Sequence, residues 1–202
     1  RGDDRPRAPT IRRVAVVKGE ILTLSHATER DIDLLLVEEL RCSHVFRDRF
    51  IGELSLISGA NLSHINGKVS HSRRRMHSRR EIDILLEVEA LEGKYAVLIE
   101  NKLDTAEQPQ QAESYRLEAS ALATEGFDFA LTVLVCPEAY VAKAPIFAGK
   151  FDAVFTYEQI LALLRERADA ETGELMSRLR YRADLVSQAI EKGRRGYKAV
   201  PL

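Results

Sequence analysis

The sequence predicts an α/β fold with a mixed central sheet flanked by helices on both faces, and three observations carry that reading. Apolar segments of strand-like character interleave with amphipathic helical segments along the chain. Two of those segments, Glu81-Ile-Asp83-Ile-Leu-Leu and Tyr95-Ala-Val-Leu-Ile-Glu100-Asn-Lys102, are joined by a short stretch containing Gly93, which reads as a hairpin. With 202 residues, 45% apolar and 30% charged, the chain can bury a full core without disulfide or metal staples.

Residues 1–20 read as an N-terminal extension, partly disordered, in which Ile11 to Val17 is a short strand or a plain extension. Residues 21–202 read as a single domain without internal repeats. Thr28-Glu-Arg-Asp31 has the form of a capping box opening a helix to about Arg41, with Ile32, Leu35, Leu36 and Leu40 as its buried stripe. A second helix is expected over Phe46 to Ile57, ended by Ser58-Gly59. Leu62 to Ser78, rich in Ser, His and Arg, reads as irregular, with at most a short strand at its start. A two-residue loop at Glu92-Gly93 pairs Leu91 with Lys94, which sets Asp83 opposite Lys102 and Leu85 opposite Glu100. Asp104 to Thr124 is expected to be helical, capped between Thr105 and Gln108 because Pro109 must lie in the first turn. Phe129 to Cys136 is a buried strand stopped by Pro137, and Asp152 to Phe155 is another. Thr156-Tyr-Glu-Gln159 is a further capping box, opening a helix to about Ala168. A last helix spans about Thr172 to Lys192, with Leu175, Leu179, Val186 and Ile190 on its apolar side. The chain does not begin with Met and stops just after Gly196-Tyr-Lys-Ala-Val-Pro, so it is expected to be a piece of something longer.

A soluble, cytoplasmic protein is expected. No run of 18 apolar residues is present, and the Arg- and Asp-rich start lacks the apolar core of a signal peptide. Cys42 and Cys136 follow no metal-ligand spacing and read as free thiols. His26, His44, His64, His71 and His77 form no H-x-x-x-H pair and do not suggest zinc. Net charge is only -1, but Lys68, Arg73, Arg74, Arg75, Arg79 and Arg80 form a run without acids that leads into the Asp83 strand. A nucleic-acid backbone is recognised by such clusters, so Arg73, Arg74, Arg75, Arg79 and Arg80 are candidate contacts. A second basic group, Lys192, Arg194, Arg195 and Lys198, is less specific.

The chemistry is concentrated in the hairpin. Side chains alternate along a strand, so Glu100 and Lys102 share a face, and the register adds Asp83 to it. Charges buried in such a sheet need compensation, and a divalent cation between two carboxylates provides it. Downstream, Gln108-Pro-Gln-Gln111-Ala-Glu-Ser-Tyr115 spaces Gln108, Gln111 and Tyr115 so that a helix would put all three on one face.

These residues resemble the PD-(D/E)XK nuclease superfamily, whose signature is an acid on one strand and Glu-x-Lys on the next. The Gln/Tyr segment is similar to the Q-x-x-Q-x-x-x-Y stretch of one of its branches, and Ile82 stands where the family name has Pro. The resemblance covers about Asp83 to Tyr115 and implies a restriction-endonuclease-like fold and a metal-dependent nuclease acting on phosphodiesters, in DNA. It also implies roles. Asp83, Glu100 and the carbonyl of Asn101 would hold Mg²⁺, with Mn²⁺ as substitute; Lys102 would hold the attacking water; Gln108, Gln111 and Tyr115 would position water or substrate strand. Many members add an acid from a helix ahead of the hairpin, and Glu39, inside the Leu35/Leu36 stripe, is the candidate here over Glu38. Nucleic acid is the expected partner, a membrane is not, and a homo-oligomer is compatible with the sequence. Two alternatives are a non-catalytic nucleic-acid-binding module and a regulatory module on the same fold.

Overall fold

The structure, a computed structural model, describes residues 27–63, 65–74, 81–91 and 93–195. The N-terminal extension with Ile11 to Val17, and Arg75, Arg79, Arg80 and Lys198 of the basic groups, lie outside the described residues. Helices α1 (Glu29–Cys42) and α2 (His44–Ser58) come first, followed by strands β1 (Asn66–Arg74), β2 (Glu81–Ala90) and β3 (Gly93–Asn101). Next are α3 (Gln111–Leu122), β4 (Phe129–Cys136), α4 (Glu138–Lys143) and α5 (Pro145–Ala148). The chain continues through β5 (Ala153–Thr156), α6 (Tyr157–Ala170) and α7 (Gly173–Arg195).

The five strands lie side by side in chain order. β1, β2 and β3 are antiparallel, and β3, β4 and β5 are parallel, so the sheet is mixed and open. Each face is buried. Ile84, Leu86, Val97, Ile99 and Val133 pack against apolar residues of α1, α2, α6 and α7. Leu85, Leu98 and Leu134 pack against α3, α4 and α5 on the other face. A fully buried side chain of this size contributes roughly 1.5–3 kcal/mol, so the two cores, rather than local propensity, hold the layers together. No helix among the described residues is long and apolar enough to cross a membrane.

Helix starts follow local chemistry. Thr28 and Asp31 close the first expected capping box, and Thr156 and Gln159 close the second. Gly59, at φ 71°, ends α2 in the left-handed conformation that favours glycine.

Three expectations are corrected. First, β1 is a nine-residue strand where an irregular segment was expected. Its side chains are mostly half-buried and polar, so no apolar alternation marks it; the ladder offered by β2 makes it a strand, and its charges suit a sheet edge. Second, the hairpin register differs: Ala90 pairs with Gly93 and Leu85 with Leu98. Asp128 fastens the turn from outside the hairpin, its carboxylate accepting the Lys94 N–H at 2.6 Å. A side chain at Gly93, where φ is 147°, would collide with that carboxylate. Because the shift amounts to two residues, the facing of the side chains is preserved along the paired stretch from Ile84 to Ala90. Third, α3 begins at Gln111, capped at Gln110 rather than between Thr105 and Gln108, with Gln110 in the left-handed region at φ 56°. The short helices α4 and α5 occupy the crossover between β4 and β5.

Candidate active site where the hairpin opens

The β2–β3 ladder ends at the pair Ile84–Ile99, and the neighbourhood of Asp83 departs from a regular sheet. Ile84 belongs to the core under α1, whereas Ile82, two residues before it, belongs to the core under α3. Asp83 therefore sits where β2 rolls from one face to the other. On the adjoining strand Ser72, flanked by residues that pair with Ile84 and Ile82, has φ 51°, a rare conformation for a residue with a side chain. The Tyr115 hydroxyl takes over where the ladder stops: it donates to the Ile99 carbonyl at 3.2 Å and accepts the Asp83 N–H at 3.1 Å. The Asn101 N–H in turn donates to Asp83 Oδ2 at 3.0 Å.

Glu100 is 2% exposed at the end of β3. Its Oε1 receives the Gln111 amide at 2.6 Å and lies 3.1 Å from Lys102 Nζ. Burial, then the charge of Asp83, pushes the Glu100 carboxyl up to about 7, against the pull of Lys102. Asp83, Glu100, Lys102 and Gln111 are thus brought to one place, as expected. Tyr115 joins them from α3. It is fully buried, ties β2 to β3 and also hydrogen-bonds Glu100. Gln108 lies ahead of α3 instead of on its face; it is exposed, and its N–H donates to Gln111 Oε1 at 3.1 Å, bracing that side chain.

Helix α1 reaches the site with Asp33 and Glu29, not with Glu39. Glu39 is almost fully buried and committed to Arg167 on α6 and Arg182 on α7, a structural ion pair away from the hairpin. Asp33 Oδ1 accepts the Asn101 side-chain amide at 2.9 Å, and His71 Nε2 lies 3.8 Å from its Oδ2. Burial and the charge of Asp83 raise the Asp33 carboxyl to about 7. Glu29 Oε1 accepts the Leu103 N–H at 2.8 Å and the Thr105 hydroxyl at 2.7 Å, fastening the segment after Lys102. A signal was present: Glu29, Asp33, Leu36 and Leu40 are spaced i, i+4, i+7 and i+11, one stripe of the helix aimed at the sheet.

Comparison of the chain with protein-family models, with curated proteins and with solved structures returned no match. The site must be judged on its own chemistry. Among the described residues, no group of three or more His, Cys, Asp or Glu side chains is placed to hold a metal ion as a protein cage would. What the site offers is narrower: the neighbouring carboxylates of Asp83 and Glu100. That oxygen-only set fits a hard cation such as Mg²⁺, which commonly keeps several waters and takes only one or two carboxylates. The mutual repulsion of Asp33, Asp83 and Glu100 is the kind of strain a cation would relieve.

The described part of the basic run lies on β1, with Arg73 across from Ile82 and Arg74 across from Glu81. Arg73 also reaches Glu125 at 3.4 Å and Glu87 at 3.8 Å. The strand carrying these arginines therefore runs directly beside Asp83.

Proposed function

We propose that the chain is a metal-dependent nuclease of the PD-(D/E)XK type, with a restriction-endonuclease-like fold, that hydrolyses phosphodiester bonds in DNA. The observation that carries this reading is the meeting of Asp83, Glu100 and Lys102 at a strand end, with two carboxylates held close enough to oppose each other's charge. The mixed sheet with helices on both faces agrees with the fold that the resemblance implies.

In this reading Asp83 and Glu100 present oxygens to Mg²⁺ or Mn²⁺, aided by the Asn101 carbonyl. Such a cation, when bound, polarises a phosphate oxygen and acidifies a water. Lys102 Nζ lies beside Glu100 and can donate to that water or offset charge on the phosphorane-like transition state. Gln111 fixes the Glu100 carboxylate from the other side, and Tyr115 holds the two strands at the separation the site requires. Arg73 and Arg74 supply positive charge for the phosphate backbone beside Asp83.

The test is a calorimetric titration of the full chain with Mg²⁺ and Mn²⁺, paired with a plasmid-nicking assay. Cation uptake with metal-dependent nicking supports the assignment. Absence of both sinks it, and cation uptake without nicking points to a non-catalytic module on the same fold.

A further inference from the structure

Asn101 stands between Glu100 and Lys102 in the chain, yet its side chain enters the opposite layer, where each of its polar atoms is engaged. Nδ2 donates to the Glu29 carbonyl at 2.8 Å and to Asp33 Oδ1 at 2.9 Å, while Oδ1 accepts the Tyr157 hydroxyl at 2.7 Å. Only one orientation of the amide satisfies this set. Turned over, its oxygen would face a carbonyl and a carboxylate, two acceptors. Its main-chain N–H meanwhile donates to Asp83 Oδ2 at 3.0 Å. One residue therefore grips two acids, Asp83 through the backbone and Asp33 through the side chain; the two acceptors set the orientation of the amide, and the tyrosine hydroxyl anchors its oxygen from the far side.

Nothing in the making of α6 requires that hydroxyl. Thr156 and Gln159 already cap the helix, and the Tyr157 ring is fully buried in the core under α1. A phenylalanine would fill the same space, so the hydroxyl is accounted for by Asn101 alone.

We propose that Tyr157 is a positioning residue of the candidate active site: by anchoring the Asn101 side chain it holds the Asp33 carboxyl of α1 beside Asp83, so that a third acid strengthens the hold of the Asp83–Glu100 pair on a divalent cation. The placement stands on the hydrogen bonds; the purpose given to it rests on the nuclease reading. Sequence reasoning had no means of finding Tyr157, which lies more than fifty residues downstream of Asn101 and looks like an ordinary core aromatic.

The experiment uses the full chain, the variants Tyr157→Phe and Asp33→Asn, their combination, and Mn²⁺ alone as the probe. In the parent, the Asn101 side-chain amide protons should be protected from exchange in nitrogen–proton NMR spectra, and Tyr157→Phe should lose that protection. Calorimetry should show Mn²⁺ binding weakened about tenfold in each single variant, the scale expected when a supporting partner of a metal site is removed. The double variant should bind no more weakly than either single one, because both changes act through the same carboxyl. A purely structural Tyr157 would lower the melting temperature and leave Mn²⁺ affinity unchanged, which overturns the proposal, as would additive losses or an amide that stays protected in Tyr157→Phe. Should the parent take up no Mn²⁺, the nuclease reading fails separately, and the amide protection alone decides whether Tyr157 positions Asn101. If Tyr157→Phe does not fold, Asn101→Ala replaces it, with the same tenfold loss and the same non-additivity with Asp33→Asn expected.

Discussion

Replacing Asp33 with Asn removes a carboxylate whose charge Asp83, Glu29 and Glu100 all oppose, while leaving an oxygen to accept the Asn101 amide. The carboxyl stands at about 7 in the folded protein against an ordinary 3.8. A carboxyl raised in this way holds its proton more tightly folded than unfolded, so folding takes up protons between those values. Its contribution to stability is therefore greatest below about 4 and is lost as pH rises through about 7. About 3 pH units at about 1.4 kcal/mol each set an upper limit of about 4 kcal/mol on the loss above pH 8. Asp33→Asn should recover much of this at pH 8.5, about half as much at pH 5, and nothing near pH 3. For a domain of this size each kcal/mol moves the melting temperature by about 2–4 °C, so a rise of about 10 °C at pH 8.5 is expected. Calorimetric melts of both proteins across that range, without divalent cations, read the effect. A difference in melting temperature that stays the same at every pH, or a variant less stable at pH 8.5, would refute the electrostatic account of the site.

Other outcomes follow from the same geometry. Lys102→Ala should abolish Mg²⁺-dependent nicking yet keep or tighten cation binding, whereas Asp83→Asn should lose both, with high Mn²⁺ restoring part of the activity; side-by-side calorimetry and nicking assays separate the two. Glu39→Ala leaves Arg167 without its buried counter-ion and Arg182 with Glu38 alone, so urea unfolding should report a loss of about 3 kcal/mol. Replacing Arg73, Arg74 and Arg75 together with Ala should weaken DNA binding across unrelated sequences and flatten its salt dependence; an unchanged salt slope would mean the run makes no phosphate contacts.

What could be read in the sequence was local. A capping box is closed by residues three apart, so Thr28 with Asp31 and Thr156 with Gln159 declare their helices without help from the rest of the chain. The strand-end trio was legible for a related reason, since Glu100 and Lys102 lie two apart on one short stretch, whereas the roll of β2 that brings Asp83 to them carries no mark in the sequence. β1 was not legible, because an edge strand of Ser, His and Arg draws its order from β2 and carries no pattern of its own. Glu39 stands out over Glu38 by its place in the apolar stripe, and the stripe that holds Glu29 and Asp33 tells only that those acids face the sheet, not which acid of the helix reaches the hairpin. Glu39 and Asp33 both lie on faces of α1 that are buried, and only the packing of α6 and α7 over one and of β3 beside the other decides which acid meets arginine and which meets the hairpin. Pro109 pointed to a helix start, but the chain first turns through Gln110 in the left-handed region, and the helix opens at Gln111, whose side chain accepts the Gln108 N–H and serves Glu100 with its amide.

The roll of β2 at Asp83 has a consequence for how this site can be built or moved. A hairpin cut out of the protein would still carry Asp83, Glu100 and Lys102, but it would not be the site. Tyr115 enters the opening from one layer, and Asp33, held by Asn101, enters from the other. Since the strand changes sides at that residue, the centre is a joint shared by both layers rather than a patch on either. Grafting it onto another scaffold would require three elements of separate origin in the chain, α1, the hairpin and α3, to arrive in register, and a misfit in any one of them would be felt at Asp83.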